Sequence, residues 1–394
     1  MGIEFQVVDT IHRVSAEAWQ ALWKTDYPFV QYGFLTALED SGCTPGNIAC
    51  NGEENASGDA ESGWQVAHLL GYDGEKLVLA MPMYRKTHSW GEYVFDWSWA
   101  EAYHRNGLAY YPKLVCAVPF TPATGPRIAC ADSHELGAVL PLALTWLRQF
   151  CEAQGFSGAH LLFPDKALSS QWQALDWQQR QGCQFHWFNR DYTSFDDFLS
   201  GFASRKRKNL RKERQQVRAA DVTLQRLTGS DITPQDWDAF YQFYHMTYLK
   251  RSGATGYLNR DFFARLGEAV GDQLLMVVAY REGRRIAASL CFFDNECLYG
   301  RYWGCREEVP GLHFEACYYQ GIEFAIERGL QRFDPGAQGE HKIQRGFEPV
   351  LTYSNHWLVE PAFNDAVGDF LQREKPAIEQ YRQQCAEALP FKQV

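Results

Sequence analysis

The feature that most constrains the fold is an internal repeat, since both halves of the 394-residue chain show the same order of predicted elements. In the first half a hairpin turns at residues 72–74, and aromatic, strand-like segments follow, one of them at residues 93–99. A helix is predicted over residues 135–154 because a glycine follows it directly. Short apolar runs at 160–163 and 184–188 predict the last two strands of this copy.

The second half repeats this plan. A hairpin turns at residues 281–283, and a helix is predicted over residues 312–327. A strand then ends at Asp334, a charged loop with a short helix covers residues 336–346, and a strand at 350–358 closes the unit. Two tandem copies of one α/β unit are the simplest account of this order. We therefore predict an α/β (α+β) protein with two mixed central sheets flanked by helices.

The repeat sets the predicted domain boundary. We expect an N-terminal domain at residues 1–192 and a C-terminal domain at residues 193–394. The acidic stretch NGEENASGDAES, residues 51–62, is interpreted as a surface loop inserted in the first domain. The apolar segment 362–388 predicts a final helix, and either domain is a candidate for its packing partner.

The composition describes a packed protein of a reducing compartment. A formal net charge of −10 argues against a protein that coats nucleic acid over its whole surface. The 11 cysteines form no C-x-x-C pair, so we expect reduced thiols and no metal site. No apolar run reaches the roughly 20 residues that span a bilayer, and the N-terminus shows no signal peptide pattern. We therefore expect a cytoplasmic protein without a membrane span.

A strongly basic segment separates the two copies. Residues 204–220 carry a single carboxylate, Glu213, among eight cations. These cations are Arg205, Lys206, Arg207, Lys208, Arg211, Lys212, Arg214 and Arg218. Ala203, Leu210 and Val217 recur every seven residues, which predicts a helix with a thin apolar stripe. We interpret it as a face for the phosphates of a nucleotide, CoA or tRNA; a solvated connector helix is the alternative.

Several segments resemble the Fem-like branch of the GNAT superfamily of N-acyltransferases. They are SRKRKNLRKERQQV from residue 204, LHFEACYYQGIEFAIERGLQRFDPGAQGEHK from residue 312 and QRGFEPVLTYSNHW from residue 344. The resemblance covers most of the chain and implies two tandem GNAT-like domains without a covalently bound cofactor. More distantly, the chain resembles the peptidoglycan-bridge Fem ligases. Those enzymes take an amino acid from aminoacyl-tRNA and form an amide on a precursor amine.

The residues favour one acyl donor over another. Ordinary GNAT enzymes carry a glycine-rich pyrophosphate loop before the central helix, whereas this chain has REEVPGL with one glycine at 306–312. We therefore prefer aminoacyl-tRNA to acyl-CoA, although a CoA-dependent N-acetyltransferase stays an alternative. The predicted donor-binding residues are Arg205, Lys206, Arg207, Lys208, Arg211, His313 and Arg345. His313 is included because it opens a helix, whose N-terminal end attracts anions.

The charged loop holds the predicted catalytic groups. Amide formation from an ester or thioester needs a base for the amine and a group that stabilises the oxyanion. His341 is the best base by residue type, because its ordinary pKa lies near operating pH; Glu340 is the alternative. Lys342 resembles a lysine close to the acyl centre of Fem ligases, which implies a cation for the oxyanion or for a phosphate. For each residue, an ordinary surface position is the competing interpretation.

Four further residues complete the predicted site as walls of a substrate cleft: Tyr302, Trp303, Tyr318 and Asp334. The corresponding loop of the first copy, PDKALSSQWQALDWQQRQG from residue 164, contains no histidine. We therefore expect catalysis in the second domain, and a supporting or acceptor-binding role for the first. The expected acceptor is a small amine or a peptide-like molecule. A non-catalytic GNAT-like module that binds nucleic acid or a cell-wall precursor is the alternative of another class.

Overall fold

The protein is described here by a computed structural model. The structure describes residues 2–46, 62–253, 255–337 and 339–392. The predicted acidic loop at 51–62 lies outside these ranges except for its last residue.

The chain folds into two compact units, each containing a second segment from elsewhere in the sequence. The first unit comprises residues 1–182 and 351–379, and the second comprises residues 183–350 and 380–394. The predicted boundary at 192/193 differs from this division by about ten residues. The predicted second domain also included residues 351–379, which fold with the first unit.

In its described residues, the first unit contains strands of two sheets and five complete helices. The strands are β1 (Glu4–Val8), β2 (Trp64–Val66), β3 (His68–Asp73), β4 (Lys76–Met81), β5 (Met83–Lys86), β6 (Lys113–Cys116), β7 (Ala129–Cys130) and β8 (Gly158–Leu162). The helices are α1 (Ala16–Trp23), α2 (Tyr32–Asp40), α3 (Trp97–Arg105), α4 (Leu136–Gln154) and α5 (Lys166–Gln173). One sheet has the order β1-β3-β4-β7, and in the other β2, β5, β6 and β8 are neighbours. Helix α4 packs on their apolar core through Leu140, Leu144 and Leu147.

The second unit is built on one sheet. Its elements begin with β9 (Gln178–Phe188), which starts in the first unit, followed by α6 (Phe195–Ser200), α7 (Ser204–Ala219), β10 (Val222–Thr228), α8 (Pro234–Ser252), α9 (Arg260–Val270), β11 (Leu274–Arg281), β12 (Arg284–Phe293) and β13 (Cys297–Cys305). The later elements are α10 (Leu312–Phe314), a π-helical turn (Glu315–Tyr319), α11 (Gln320–Arg328), β14 (Arg332–Asp334), a 310 helix (Glu340–Arg345), β15 (Glu348–Leu358) and α12 (Pro361–Glu387). The sheet order is β10-β11-β12-β13-β14-β9. The last two elements pass into the first unit.

In each unit a parallel strand pair is joined by a helical crossover. In the first unit β6 and β8 are parallel and α4 connects them. In the second unit β13 and β14 are parallel, and α10, the π turn and α11 connect them. This correspondence agrees with the predicted repeat, and the mixed α/β fold class is confirmed.

The two halves of the sequence exchange their final strands. β15 pairs antiparallel with β8, from Ser354 opposite Leu162 to Leu358 opposite Gly158. β9 pairs antiparallel with β14 through Trp187 and Phe188. The prediction that the strand at 350–358 closes its own unit is therefore wrong. At 11 residues, β9 and β15 are about twice the mean strand length, and each contains residues assigned to both units.

The structure differs from the predicted secondary structure in one strand and in two helices that the sequence pattern did not indicate. The strand-like segment at 93–99 runs instead into α3, which buries Trp99 and Tyr103 four residues apart on one helical face. Helices α8 and α9 were not predicted. Phe240, Phe243 and Tyr244 of α8 are buried, but half-buried Tyr241, His245 and Met246 lie among them, so no clear apolar stripe is visible.

Candidate active site in the second unit

The candidate site lies at the carboxyl ends of the parallel strands β13 and β14. Open α/β sheets commonly bind ligands at this edge, because the crossover connections diverge there. β13 leads through Gly311, at φ +82°, into α10, and β14 ends at Asp334. The 310 helix Glu340–Arg345 follows and is called the site helix below.

Two glycines define the ends of the site helix. Gly339 and Gly346 have φ values of +116° and +83°, which residues with a side chain rarely adopt. A Cβ atom on Gly339 would lie 2.3 Å from the ring of His341. The glycine thus leaves the space in which the imidazole lies. The sequence predicted a short helix ending at Gly346, and the structure confirms it.

His341 forms a pair with Tyr318. The imidazole Nε2 lies 2.9 Å from the Tyr318 hydroxyl, and His341 itself is partly exposed to solvent. Burial of the ring and the cations of Lys342 and Arg345 lower the pKa of His341 below its ordinary value. A neutral imidazole at neutral pH can accept a proton, so the pair has the chemistry of a general base. Tyr318 belongs to the π turn, a feature often found at functional sites.

Lys342 is the buried cation of the site. Its side chain is 1% exposed, and Nζ donates a hydrogen bond to the Gly336 carbonyl at 2.5 Å. Burial lowers the pKa of Lys342 to about 8, and the opposing effect of Asp334 is partly offset by Arg301. One hydrogen bond leaves the remaining N–H groups of the ammonium available to an oxyanion.

Asp334, predicted as a cleft residue, lies in a buried charged network. Its carboxylate accepts hydrogen bonds from Arg301 at 2.9 Å and from the Gly336 N–H at 2.9 Å. His186 Nε2 is 3.7 Å away. Burial acts to raise the pKa of Asp334, but Arg301 and His186 hold that pKa well below its usual range. The network fixes the end of β14 and the turn that carries the Lys342 acceptor.

Arg345, predicted to bind the donor, is engaged by protein groups. Its guanidinium donates to both carboxylate oxygens of Glu213 at 2.9 Å and to the His341 carbonyl at 2.7 Å. It also donates to the Tyr319 hydroxyl at 3.1 Å and stacks over the Phe314 ring at 3.4 Å. Arg345 therefore links the site helix to the basic helix α7. Glu340, the alternative base, is exposed.

The basic helix α7 is anchored as its sequence predicts. Leu210 and Val217 are buried, as expected from the apolar stripe. Lys206 donates to the Gln344 side chain, which joins α7 to the site helix a second time. Arg211 pairs with Asp196 at 2.7 Å. Among the residues that the structure describes, the other three predicted donor-binding residues of α7 form no ion pair: Arg205, Arg207 and Lys208.

A cavity of about 540 Å³ lies beside the start of α10. Trp303, His313, Lys250 and Arg251 contribute to its lining. Burial, followed by the nearby cations, lowers the pKa of His313 to about 4. Tyr302 points away from these residues, against Tyr244 and Phe263, because neighbouring side chains of a strand face opposite ways. Trp303 and Tyr302 thus do not share one wall.

The structure adds four residues that the sequence did not single out for the site: Arg301, His186, Arg251 and Glu213. Arg301 and His186 lie within strands, where a charged or polar residue in an apolar run is the available signal. Glu213 is the one carboxylate of the basic helix. A single acidic residue among eight cations is the sequence feature that could have indicated a specific partner. Within the described ranges, no group of His, Cys, Asp or Glu is arranged to hold a metal ion.

Comparison with known protein families gives a match over nearly the whole chain. The profile of the FemAB-like family, described as peptidoglycan biosynthesis/recognition, matches residues 10–393. Fold and family together define an acyltransferase, as the sequence predicted. The chain belongs to the FemAB-like family. A search of curated proteins found no match.

Several solved structures are similar to this chain at low sequence identity. A conserved protein of unknown function from Bacteroides thetaiotaomicron has a TM-score of 0.50 and 13% identity, covering 90% of this chain and 100% of its own. L-PGS from Bacillus licheniformis has a TM-score of 0.48 and 11% identity, with 79% and 90% covered. FemX has a TM-score of 0.47 and 11% identity, with 78% and 91% covered. No helix in the described part of the chain is long and apolar enough to cross a membrane.

Proposed function

We propose that the protein transfers an acyl or aminoacyl group from a phosphate-bearing carrier to an amine, and that the carrier is an aminoacyl-tRNA. The observation that carries the proposal is the double connection between α7 and the site helix. Glu213 bonds Arg345, and Lys206 bonds Gln344. A carrier whose phosphates bind α7 would thus lie next to the groups that act on its acyl end.

The basic helix supplies the carrier contacts. Arg205, Arg207 and Lys208 lie near the N-terminal end of α7, and none of them pairs with a carboxylate in the described residues. Unpaired cations on one helix suit a polyanion, because each phosphate contact releases a counterion and adds affinity. In this proposal Arg345 positions the site helix, and its donor role is indirect.

The chemistry requires three proton and charge movements. The amine nitrogen attacks the ester carbonyl while His341, backed by Tyr318, accepts its proton. Lys342 stabilises the oxyanion of the tetrahedral intermediate. The intermediate collapses by breaking the bond to the carrier oxygen, and that oxygen takes the proton from His341. The product is an amide on a small amine or peptide-like acceptor, with Glu340 as the second candidate for the base.

An acyl-CoA donor is the second candidate, favoured by the cavity at the start of α10. Lys250 and Arg251 on the lining can meet phosphates, and the helical N-terminus favours anions. In that case the leaving group is a thiolate, and the thioester carbonyl meets the same His341 and Lys342.

Salt-dependent binding tests the carrier. We expect the triple variant Arg205→Gln/Arg207→Gln/Lys208→Gln to bind unacylated tRNA more weakly and to reduce the slope of log affinity against log salt by about 3. Lys206 stays unchanged because it holds Gln344. The matched control is Arg13→Gln/Lys76→Gln/Lys375→Gln, which removes the same charge from exposed positions.

The same binding assay separates the candidates. Binding of CoA, but not tRNA, that is weakened by Arg251→Gln would favour the CoA donor. If the wild-type protein binds neither ligand, the proposal of a phosphate-bearing carrier fails.

A further inference from the structure

The site helix contains little that can hold its own shape. It is a 310 helix of six residues, longer than most, and 310 hydrogen bonds have poor geometry. Gly339 and Gly346 flank it, and glycine is the most mobile backbone residue. The positions of His341 and Lys342 therefore depend on contacts made by neighbouring segments.

One set of contacts comes from the end of the chain. The Tyr381 hydroxyl, near the end of α12, donates to Glu340 Oε1 at 2.8 Å. The Gln344 side-chain amide donates to the Ala388 carbonyl at 3.2 Å. Both ends of the site helix are thus bonded to residues that follow it by more than 40 positions.

This C-terminal segment is itself anchored beneath the site helix. Phe391 packs edge to face on Phe202 with ring centroids 5.1 Å apart. The Ala203 N–H donates to the Pro390 carbonyl at 2.9 Å, so a short antiparallel bridge fixes the segment. Gly346 also rests on Phe202, together with Phe198, since a Cβ atom there would lie 2.9 Å from Phe202 and 2.8 Å from Phe198.

We propose that residues 381–391 form a C-terminal clamp that holds the site helix in its catalytic geometry. Tyr381 is a positioning residue that acts through Glu340, and Phe391 is the anchor. The inference deepens the proposed function, because it explains how His341 and Lys342 are kept in place. It also makes a claim about local order that does not depend on any reaction.

Hydrogen exchange tests the clamp directly. In Phe391→Ala we expect the amides of residues 340–346 to exchange about tenfold faster, while those of β11 and β12 keep their rates. Tyr381→Phe removes one hydroxyl and should raise exchange severalfold at Glu340 and His341. The matched control, Gln384→Ala, changes an exposed residue of the same helix and should leave every rate unchanged.

The outcomes separate the clamp from the chemistry. Unchanged exchange at 340–346 in a folded Phe391→Ala protein would overturn the clamp. If Phe391→Ala does not fold, unchanged exchange in Tyr381→Phe would do so instead. Faster exchange in the two variants, together with a wild-type protein that shows no transferase activity, would support the clamp while removing the proposed function. With activity present, we expect Tyr381→Phe to lower kcat about fivefold and to leave the KM for the carrier unchanged.

Discussion

The two parallel strand pairs, β6/β8 and β13/β14, are both joined by helical crossovers, but the segments that follow β8 and β14 differ. After β8, the chain passes Pro164 and enters α5 at once, with Asp165 accepting a hydrogen bond from the Leu168 N–H at 2.8 Å. After β14, Pro335 and Gly336 lead to the glycine-bounded site helix with its histidine and lysine. The same point of the scaffold can thus carry a capped helix or a loop with a histidine and a buried lysine.

Two buried lysines show the same contrast in electrostatic terms. Lys113, at the start of β6, is fully buried, and its Nζ lies 2.9 Å from Glu92 and also bonds Asp96. Burial acts to lower its pKa, but Asp96 and Glu92 raise it above the ordinary value. Lys342 makes no ion pair with a described residue, and its pKa is lowered to about 8. The lowered pKa makes Lys342 a candidate for a functional role, whereas Lys113 belongs to a structural network of paired charges.

The largest expected effect is the loss of stability when Lys113, the paired lysine, is replaced. Lys113→Met leaves Glu92 and Asp96 buried without their cation, so we expect a loss of about 3–5 kcal/mol in the free energy of unfolding. Chemical denaturation monitored by tryptophan fluorescence would measure it. The control is Lys76→Met at an exposed position of the β3–β4 hairpin, which should change stability by less than about 0.5 kcal/mol. Equal stability of the two variants would contradict a structural role for Lys113.

The chemical member of the pair should behave in the opposite way. Lys342→Met removes a buried charge that has only a carbonyl partner, so we expect little loss of stability. Turnover should fall by about 10²–10³-fold, because the oxyanion loses its donor. Single-turnover amide formation measures this, with the exposed Lys375→Met as control. Wild-type turnover in Lys342→Met would remove the lysine from the proposed mechanism.

Local patterns predicted the scaffold well. Hairpins, the basic helix and the helix predicted at 312–327 follow from residue periodicity and glycine stops, which depend on neighbours in the sequence. The exchange of β9 and β15 was not predictable in this way. Strand partners such as Leu162 and Ser354 lie about 190 residues apart, and their pairing depends on the three-dimensional arrangement of both halves.

The residues of the candidate site could be proposed from the sequence, but their arrangement could not. The charged loop identified His341 and Lys342 by residue type, and their proximity follows from adjacency. Arg345 has the right charge for a donor contact, but the sequence could not reveal that Glu213 occupies its guanidinium. Such pairing depends on how two helices pack, and no local pattern encodes it.

The smallest expected effect is the pH dependence of turnover, which tests whether Lys342 differs from Lys113 in its role. His341 acts as a base only when neutral, and its pKa lies below the ordinary 6.5, so turnover should rise with pH and level off by about neutrality. Lys342 stabilises the oxyanion only when protonated, so turnover should fall as pH rises through about 8. Lys342→Arg keeps a charge above pH 12, and even with reduced activity it should lose this alkaline fall. A kcat–pH profile measures both limbs. An alkaline limb that is unchanged in Lys342→Arg would assign the fall to another group and leave Lys342, like Lys113, a structural lysine.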